Sequence, residues 1–461
     1  MPARLSRFGV EARQLLRLAL PIIVSHLSSV LMGFIDTVMA GRAGAFEQAV
    51  VGLGVAIWLP LVVSLVAVVQ AVSPVVAHHF GARDAPAIVT DTQQGLWLAG
   101  LLGVLPALAL PWSADLLAAF DVDAALAART VVFLQGAAFG LPAGLMFSAL
   151  EFYSASISRP VPAMVLGLLG LGVNALLNAG FIYGWGGLPM LGGAGCGWAS
   201  GMGMWISFVL MAAHVAWAEP YRPYRLFRHW PAPRWARLRH LLHLGLPMGG
   251  SALAEVAAFT GVALLIGSMG PTAIAAHQSA LNFTAIMYML PAGLSAALSI
   301  RVGQTLGAGR SQEARFIAWS GMLLALVIGV ALTPLIVLGR GAIAAVYSPD
   351  VAVQQVVANL MLFTAGWYVA DAAQVCAAGA LRGYRVTLVP MLVVAGAYWL
   401  ISIPLGMLLA RHGAAALGWA PLGVYGYWVG LLVGVLAVAA AMVTALGRVA
   451  RRHARLAQAA G

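Results

Sequence analysis

Three carboxylates lie inside long apolar stretches of this 461-residue chain: Asp36, Glu255 and Asp371. An ionisable side chain in such a stretch is costly to bury, and by default it marks an ion or substrate pathway through a membrane. Carboxylate oxygens combined with amide or hydroxyl oxygens form hard ligands that suit an alkali cation or proton exchange. The alternative is that these acids only form hydrogen bonds that hold helices together.

The first acid has candidate partners elsewhere in the chain. Asn174 and Asn178 are spaced i, i+4, so they share one helix face. A helical rise of ~1.5 Å per residue places Asp36 about 9 Å from Arg42, in the outer half of its span, and the asparagines lie at a similar depth. We therefore predict a cation-coupling site of Asp36, Asn174 and Asn178 that binds Na⁺ or exchanges a proton.

The other two acids lie near the middle of their spans. The same helical rise puts Glu255 about 24 Å, and Asp371 about 16 Å, from the nearest inner arginine. Tyr368, Asp371 and Gln374 are spaced i, i+3, i+6 and share a helix face. We predict a second coupling site of Glu255, Tyr368 and Asp371, again for Na⁺ or H⁺, and we assign Gln374 to a substrate cavity.

Further polar and aromatic residues are candidates for the wall of that cavity. His277, Gln278 and Asn282 occur within one span and either line the cavity or form hydrogen bonds between helices. Tyr288 and Trp367 could stack on an aromatic or cationic substrate through their ring faces. These five residues complete the predicted substrate-cavity set.

The composition indicates that the segments carrying these residues cross a membrane. Apolar residues make up 62% of the chain and charged residues 8%, and the mean hydropathy is +0.93. The apolar runs are continuous rather than alternating, which excludes a β-barrel, and each is near the ~20 residues of a transmembrane helix. We predict an all-α integral membrane protein with twelve spans, at about 15–40, 49–77, 95–111, 130–153, 162–185, 194–218, 240–268, 273–300, 317–338, 353–379, 386–409 and 424–447.

The charged residues predict the membrane topology and argue against enzyme activities that need a lysine. All 25 cationic side chains are arginine. A Walker A loop and a Schiff-base enzyme each need a lysine, and we predict neither of these activities nor any other enzyme activity. With a cytoplasmic N-terminus, 21 arginines fall on the inner side and four outside: Arg42, Arg129, Arg340 and Arg411. This asymmetry predicts a multi-pass protein of the inner (plasma) membrane with both termini cytoplasmic, and it explains the net charge of +11 without a nucleic-acid partner.

The two halves of the chain repeat one another. The segment 18–21 (LALP) opens the first span, and 244–247 (LGLP) opens the seventh, 226 residues later. Because six spans is an even number, the halves have the same orientation, and we expect two six-helix bundles related by a pseudo-twofold axis along the membrane normal. The predicted divisions are an N-terminal bundle (1–218), a basic cytoplasmic linker (219–239) and a C-terminal bundle with a basic tail (240–461).

These features resemble the multidrug and toxic compound extrusion (MATE) family over nearly the entire chain. The specific matches are 276–278 (AHQ), 289–295 (MLPAGLS) and 301–304 (RVGQ), together with Asp36 in the first span. Glu255 combined with Tyr368 and Asp371 resembles the NorM-like branch, in which these positions are associated with cation coupling. A companion branch relies on the acid of the first span, so this motif pattern leaves open which half is coupled.

The resemblance implies a V-shaped pair of bundles around a central cavity. It also implies drug efflux by antiport, in which hydrophobic organic cations are exported in exchange for Na⁺ or H⁺. The expected protein is a monomer in the lipid bilayer, with small-molecule organic cations as partners and no cofactor besides the coupling ion. The alternative within transport is a lipid-linked precursor flippase of the same superfamily, whose cavity would be expected to carry buried arginine.

Overall fold

The structure is a computed structural model that describes residues 2–110, 113–413 and 420–459. Within these ranges the chain forms α-helices joined by turns, short 3₁₀ helices and loops, and it contains no β-strand. A π-helical turn covers Ala397–Ser402. The α-helices of the described ranges are α1 (Pro2–Ala43), α2 (Ala45–Val69), α3 (Val72–Gly81), α4 (Ala85–Ala109), α5 (Ser113–Ala119), α6 (Ala124–Ser156), α7 (Val161–Tyr183), α8 (Gly195–Trp217), α9 (Trp235–Gly267), α10 (Pro271–Gly307), α11 (Ser311–Tyr347), α12 (Val351–Gly383), α13 (Leu388–Gly396), α14 (Ile403–His412) and α15 (Val424–Ala459).

Eleven helical segments of the described chain are long and apolar enough to cross a membrane. The pair α4 and α5, bent by 57°, passes the same test when taken together, which gives up to twelve spans. These segments follow the order of the predicted spans, although residue 111, at the end of the third predicted span, lies outside the described residues. The prediction of an all-α membrane protein is therefore confirmed.

Two spans contain breaks that follow from proline chemistry. The span Ala45–Gly81 changes from α2 to α3 at Gln70, whose carbonyl accepts from the Ser73 amide at 2.9 Å. Pro74 has no N–H to donate to that carbonyl, so the regular i to i−4 bond cannot form there. Pro404 likewise follows the π-helical turn and offers no donor to Leu400. Such turns are common at functional positions, and this one carries Tyr398 and Trp399.

Helices α6 and α8 pack at backbone distance through glycines. A Cβ atom on Gly140 would collide with the backbone of Gly201, and one on Gly136 would collide with the backbone at Trp198. A Cβ on Gly197 would meet the Phe133 carbonyl of α6 in the same way. Small residues spaced four apart permit this close crossing in membranes. The contact fixes α8, which supplies part of the site described below.

The chain divides into two compact units with boundaries inside α1 and α9. We call Val24–Gly249 the N-terminal unit, and Met1–Ile23 with Gly250–Gly461 the C-terminal unit. These units differ from the predicted bundles 1–218 and 240–461, because the start of each half's first helix packs with the other half of the chain. Both boundaries fall two residues after a proline, Pro21 in α1 and Pro247 in α9, where one helical hydrogen bond is missing.

Candidate functional site

The N-terminal unit brings Asp36 of α1 together with both predicted asparagines of α7. The Asn178 amide nitrogen donates to Asp36 Oδ1 at 2.5 Å and to Asn174 Oδ1 at 3.0 Å. All three side chains are buried. The i, i+4 spacing of the asparagines is what allows both amides to face the same carboxylate.

Helix α8 completes this site with a residue that the sequence did not single out. Ser200 Oγ donates to Asp36 Oδ2 at 3.4 Å and accepts from Asn174 Nδ2 at 3.2 Å. The sequence feature that could have pointed to Ser200 is its neighbour Gly201, because glycine in a membrane span is typical of a closely packed helix face. We name Asp36, Asn174, Asn178 and Ser200 the amide site.

The amide site offers oxygen ligands to a small cation. The amide nitrogen of Asn178 already donates to two acceptors, Asp36 and Asn174. The Oδ1 atom of Asn178 is buried without a hydrogen-bond partner among the described residues. A carboxylate beside an uncommitted amide oxygen is a suitable pair of ligands for a hard cation such as Na⁺. The described residues contain no group of three or more His, Cys, Asp or Glu side chains that could hold a metal.

The C-terminal unit places Glu255 of α9 against the π-helical turn. Tyr398 Oη donates to Glu255 Oε1 at 3.4 Å, and the Trp399 indole donates to the Ala254 carbonyl at 3.1 Å. Tyr398 is fully buried. The extra residue of the π turn orients these adjacent side chains towards α9, and neither contact could be read from helical spacing.

Asp371 of α12 lies in the same part of the unit. Gln374 Nε2 donates to Asp371 Oδ1 at 2.8 Å, while Gln374 Oε1 is buried without a partner in the described chain. Phe259 links the two acids, because its ring contacts both Tyr398, the donor to Glu255, and Trp367, one turn before Asp371. Tyr288 of α10 is partly buried in the same unit. Tyr368 is buried one turn before Asp371.

A row of aromatic rings extends from these acids. The Phe259 ring centroid lies 5.6 Å from the centroids of both Tyr398 and Trp367, and Trp367 lies 6.3 Å from Trp428. Trp367 was predicted from the sequence, whereas Phe259 and Trp428 were missed because an aromatic residue in an apolar span carries no distinguishing pattern. We name Glu255, Asp371, Gln374, Tyr398, Phe259 and Trp367 the aromatic site.

The structure separates the three residues predicted as one polar patch on α10. His277 is fully buried, and its Nδ1 accepts from the Trp428 indole at 3.2 Å. Gln278 is exposed, because adjacent residues point about 100° apart on a helix. Asn282 is also exposed and accepts from the Tyr347 hydroxyl at 3.0 Å. His277 therefore forms one of the helix-to-helix hydrogen bonds that the sequence analysis considered, while Gln278 and Asn282 lie at exposed positions.

Membrane-spanning helices that bury carboxylates among amide, hydroxyl and aromatic side chains define a polytopic membrane protein with intramembrane polar sites. The chain belongs to the MatE family, whose model matches residues 21–179 and 247–408. The starts of these two matches are 226 residues apart, which is the spacing of the LALP and LGLP segments. The family predicted from the sequence is confirmed.

Relatives with multidrug resistance names align over nearly the full chain. The chain is 40% identical over 444 residues to "Probable multidrug resistance protein NorM" of Chromobacterium violaceum, covering 96% of this chain and 95% of the relative. It is 41% identical over 450 residues to "Multidrug resistance protein PmpM" of Pseudomonas aeruginosa, covering 97% and 94%. The crystal structure of the eukaryotic MATE transporter AtDTX14 superposes with a TM-score of 0.85 at 19% identity, covering 98% of this chain and 99% of that one, and it supports the fold alone.

Proposed function

We propose that this protein is a secondary active multidrug efflux transporter that exports hydrophobic organic cations in antiport with Na⁺ or H⁺ by alternating access. The observation that carries the proposal is the chemistry around the three intramembrane acids. Within the described part of the chain, the side chains that donate to these acids are neutral: Asn178 and Ser200 for Asp36, Tyr398 for Glu255, and Gln374 for Asp371.

Neutral donors leave the charge of a carboxylate uncompensated, which is costly in a low-dielectric interior. A bound cation or proton removes that cost, so each acid is expected to bind one of these ions. Alternating access would then load the ion from one side of the membrane and release it on the other. We favour Na⁺ as the coupling ion because the amide site offers uncommitted oxygen to a hard cation. A proton is the alternative, since it needs only the carboxylate.

The aromatic site suggests the class of substrate. Ring faces attract delocalised positive charge, and a flat cation loses less hydration energy on burial than a compact one. Stacking and apolar contact impose little directional geometry, which suits several substrates rather than one. The multidrug resistance names of the two relatives agree with this choice.

The coupling ion can be identified in proteoliposomes that contain ethidium. A Na⁺ gradient imposed at fixed pH is expected to drive ethidium movement, and ATP without an ion gradient is expected to drive none. A pH gradient without Na⁺ tests the proton alternative. Ethidium that moves with neither gradient, together with flipping of a lipid-linked sugar, would favour the flippase.

Charge-removing variants test which unit is coupled. Glu255→Gln and Asp371→Asn preserve shape and are expected to abolish ion-driven efflux if the aromatic site couples, whereas Asp36→Asn does so if the amide site couples. Glu313→Gln is a matched control, because that partly exposed glutamate pairs with exposed Arg310 at 2.7 Å. Drug binding that is indifferent to both Na⁺ and pH contradicts exchange.

We also propose a monomer in the inner membrane with both termini cytoplasmic, in agreement with the arginine asymmetry. A fluorescent protein fused after the last residue tests this orientation, because the fusion fluoresces only if it folds in the cytoplasm. Fluorescence is expected, and its absence despite full-length expression would place the C-terminus outside.

A further inference from the structure

The loop between α8 and α9 is hydrogen-bonded to three side chains of α4. Gln93 Nε2 donates to two loop carbonyls, both at 2.6 Å, and the Trp97 indole donates to a third at 3.0 Å. Gln94 donates to a loop carbonyl at 3.2 Å and accepts from a loop amide at 2.6 Å. Both glutamines are buried, so the loop satisfies polar groups that would otherwise be stranded. The backbone of this basic segment is therefore anchored to α4.

A cavity of about 420 Å³ opens in this segment of the N-terminal unit. Three of its lining residues are Arg222, Arg225 and Arg228, all exposed. In the described part of the chain, none of the three guanidinium groups forms an ion pair or a side-chain hydrogen bond. The backbone of Arg225 is left-handed, with φ +43, which is uncommon for a residue with a side chain. The cavity is therefore walled on one side by concentrated, uncompensated positive charge.

The position of the cavity indicates what it meets in a membrane. Its lining includes Ala216 in the last turn of α8, a membrane-spanning helix that ends at Trp217. Trp217 is 77% exposed, and Trp230 in the same loop is 46% exposed. Exposed tryptophans at the end of a span are typical of the layer where lipid headgroups meet the hydrocarbon. The arginines thus lie at the depth of lipid phosphates.

We propose that this cavity binds the headgroup of an anionic phospholipid, with its phosphate held by Arg222, Arg225 and Arg228. Planar guanidinium groups form paired hydrogen bonds with phosphate oxygens. Three uncompensated charges favour a lipid of net negative charge over a zwitterionic one. The acyl chains follow the apolar outer surface of α8 past Trp217. This site is independent of the transport sites, and its test does not depend on efflux.

The test titrates dioctanoyl phosphatidylglycerol into the purified full-length protein in neutral detergent and follows binding by calorimetry. The informative variant carries Arg222→Gln, Arg225→Gln and Arg228→Gln. Each arginine near an anionic lipid surface contributes about five-fold in binding, so the triple variant is expected to bind roughly a hundred-fold more weakly. The matched control carries Arg448→Gln, Arg451→Gln and Arg452→Gln, three exposed arginines of α15, and is expected to bind within about two-fold of wild type because none of them lines the cavity.

Two further ligands identify the source of the phosphate. Dioctanoyl phosphatidylcholine is expected to bind far more weakly than the glycerol lipid, and inorganic phosphate is expected not to displace the lipid at equal concentration. Equal binding of both lipids, full displacement by phosphate, or equal losses in the two triple variants would each overturn the proposal. If the triple variant fails to elute as a folded monodisperse species, Arg225→Gln and Arg225→Lys replace it: the lysine variant should retain more lipid binding than the glutamine variant, and equal binding by the two refutes the role of charge.

Discussion

Adding one methyl group at the crossing of α6 and α8 is expected to destabilise the N-terminal unit and disturb the amide site. A Cβ on Gly201 of α8 would collide with the Gly136 carbonyl oxygen of α6 and would also crowd the Gly140 amide nitrogen. Gly201 also directly follows Ser200, which donates to Asp36. Gly201→Ala therefore changes packing on one face of α8 while a site residue occupies the adjacent position.

The magnitude follows from this geometry. Restoring ordinary carbon contact requires the helices to separate by on the order of 1 Å. Overpacking of this kind costs about 1–3 kcal/mol. The Ser200 to Asp36 bond is already long at 3.4 Å, so a shift of that size in α8 is enough to break or redirect it. Gly201→Ala should thus lower both thermal stability and, if the amide site couples, the affinity for the coupling ion.

The assay compares two alanine variants of the same helix by thermal unfolding in detergent and by Na⁺-driven ethidium efflux. Gly203→Ala is the control, because a Cβ there meets nothing within 4 Å. Alanine is a better helix former than glycine by up to ~1 kcal/mol, so the control should unfold at the same temperature as wild type or higher. A Gly201→Ala protein as stable as the Gly203→Ala protein would refute the close crossing.

Two further pairs of variants test the C-terminal unit. Glu11→Gln should lower the free energy of unfolding by about 1–3 kcal/mol, because it weakens the paired 3.0 Å hydrogen bonds from Arg301. The control Glu313→Gln, in the more exposed pair with Arg310, should cost at most ~1 kcal/mol. Equal unfolding temperatures for the two variants would contradict this prediction. Tyr398→Phe retains the ring but removes the hydroxyl that donates to Glu255, and it should reduce efflux about five-fold if Glu255 binds the coupling ion. The control Tyr425→Phe removes only the acceptor for the exposed Asn359 amide and should leave efflux unchanged.

Much of the fold could be predicted because lipid imposes a simple rule on sequence. Apolar runs near 20 residues gave the order of the spans, but helix ends extend beyond them: α10 covers Pro271–Gly307 where the sequence predicted 273–300. Backbone hydrogen bonding continues into the interface, where hydropathy no longer reports it. The positions at which a helix breaks were not predictable from proline alone. Helix α1 continues through Pro21, whereas the span Ala45–Gly81 breaks before Pro74.

The candidate sites were predictable where residues share a helix and unpredictable where helices meet. The spacing of Asn174 and Asn178, together with the depth of Asp36, was sufficient to predict their meeting. Ser200 and the contact from Tyr398 to Glu255 depend on how α8 and the π-helical turn are rotated about their own axes. A helix that is apolar on both its lipid-facing and its core-facing side gives no periodic signal of that rotation.

The two sites differ in how firmly they hold their carboxylates, and this affects what an ion can do at each. Asp36 has both oxygens engaged, by Asn178 on α7 and Ser200 on α8, so its geometry is fixed by three helices. Among the described residues, Glu255 accepts one side-chain hydrogen bond, from Tyr398 at 3.4 Å. An ion shifts a conformational equilibrium only through a difference in affinity between the two states. At the amide site, that difference requires movement of a helix, whereas at the aromatic site a rotation of side chains is sufficient. Coupling through Asp36 should therefore be sensitive to the packing of α8, which is the property that Gly201→Ala changes.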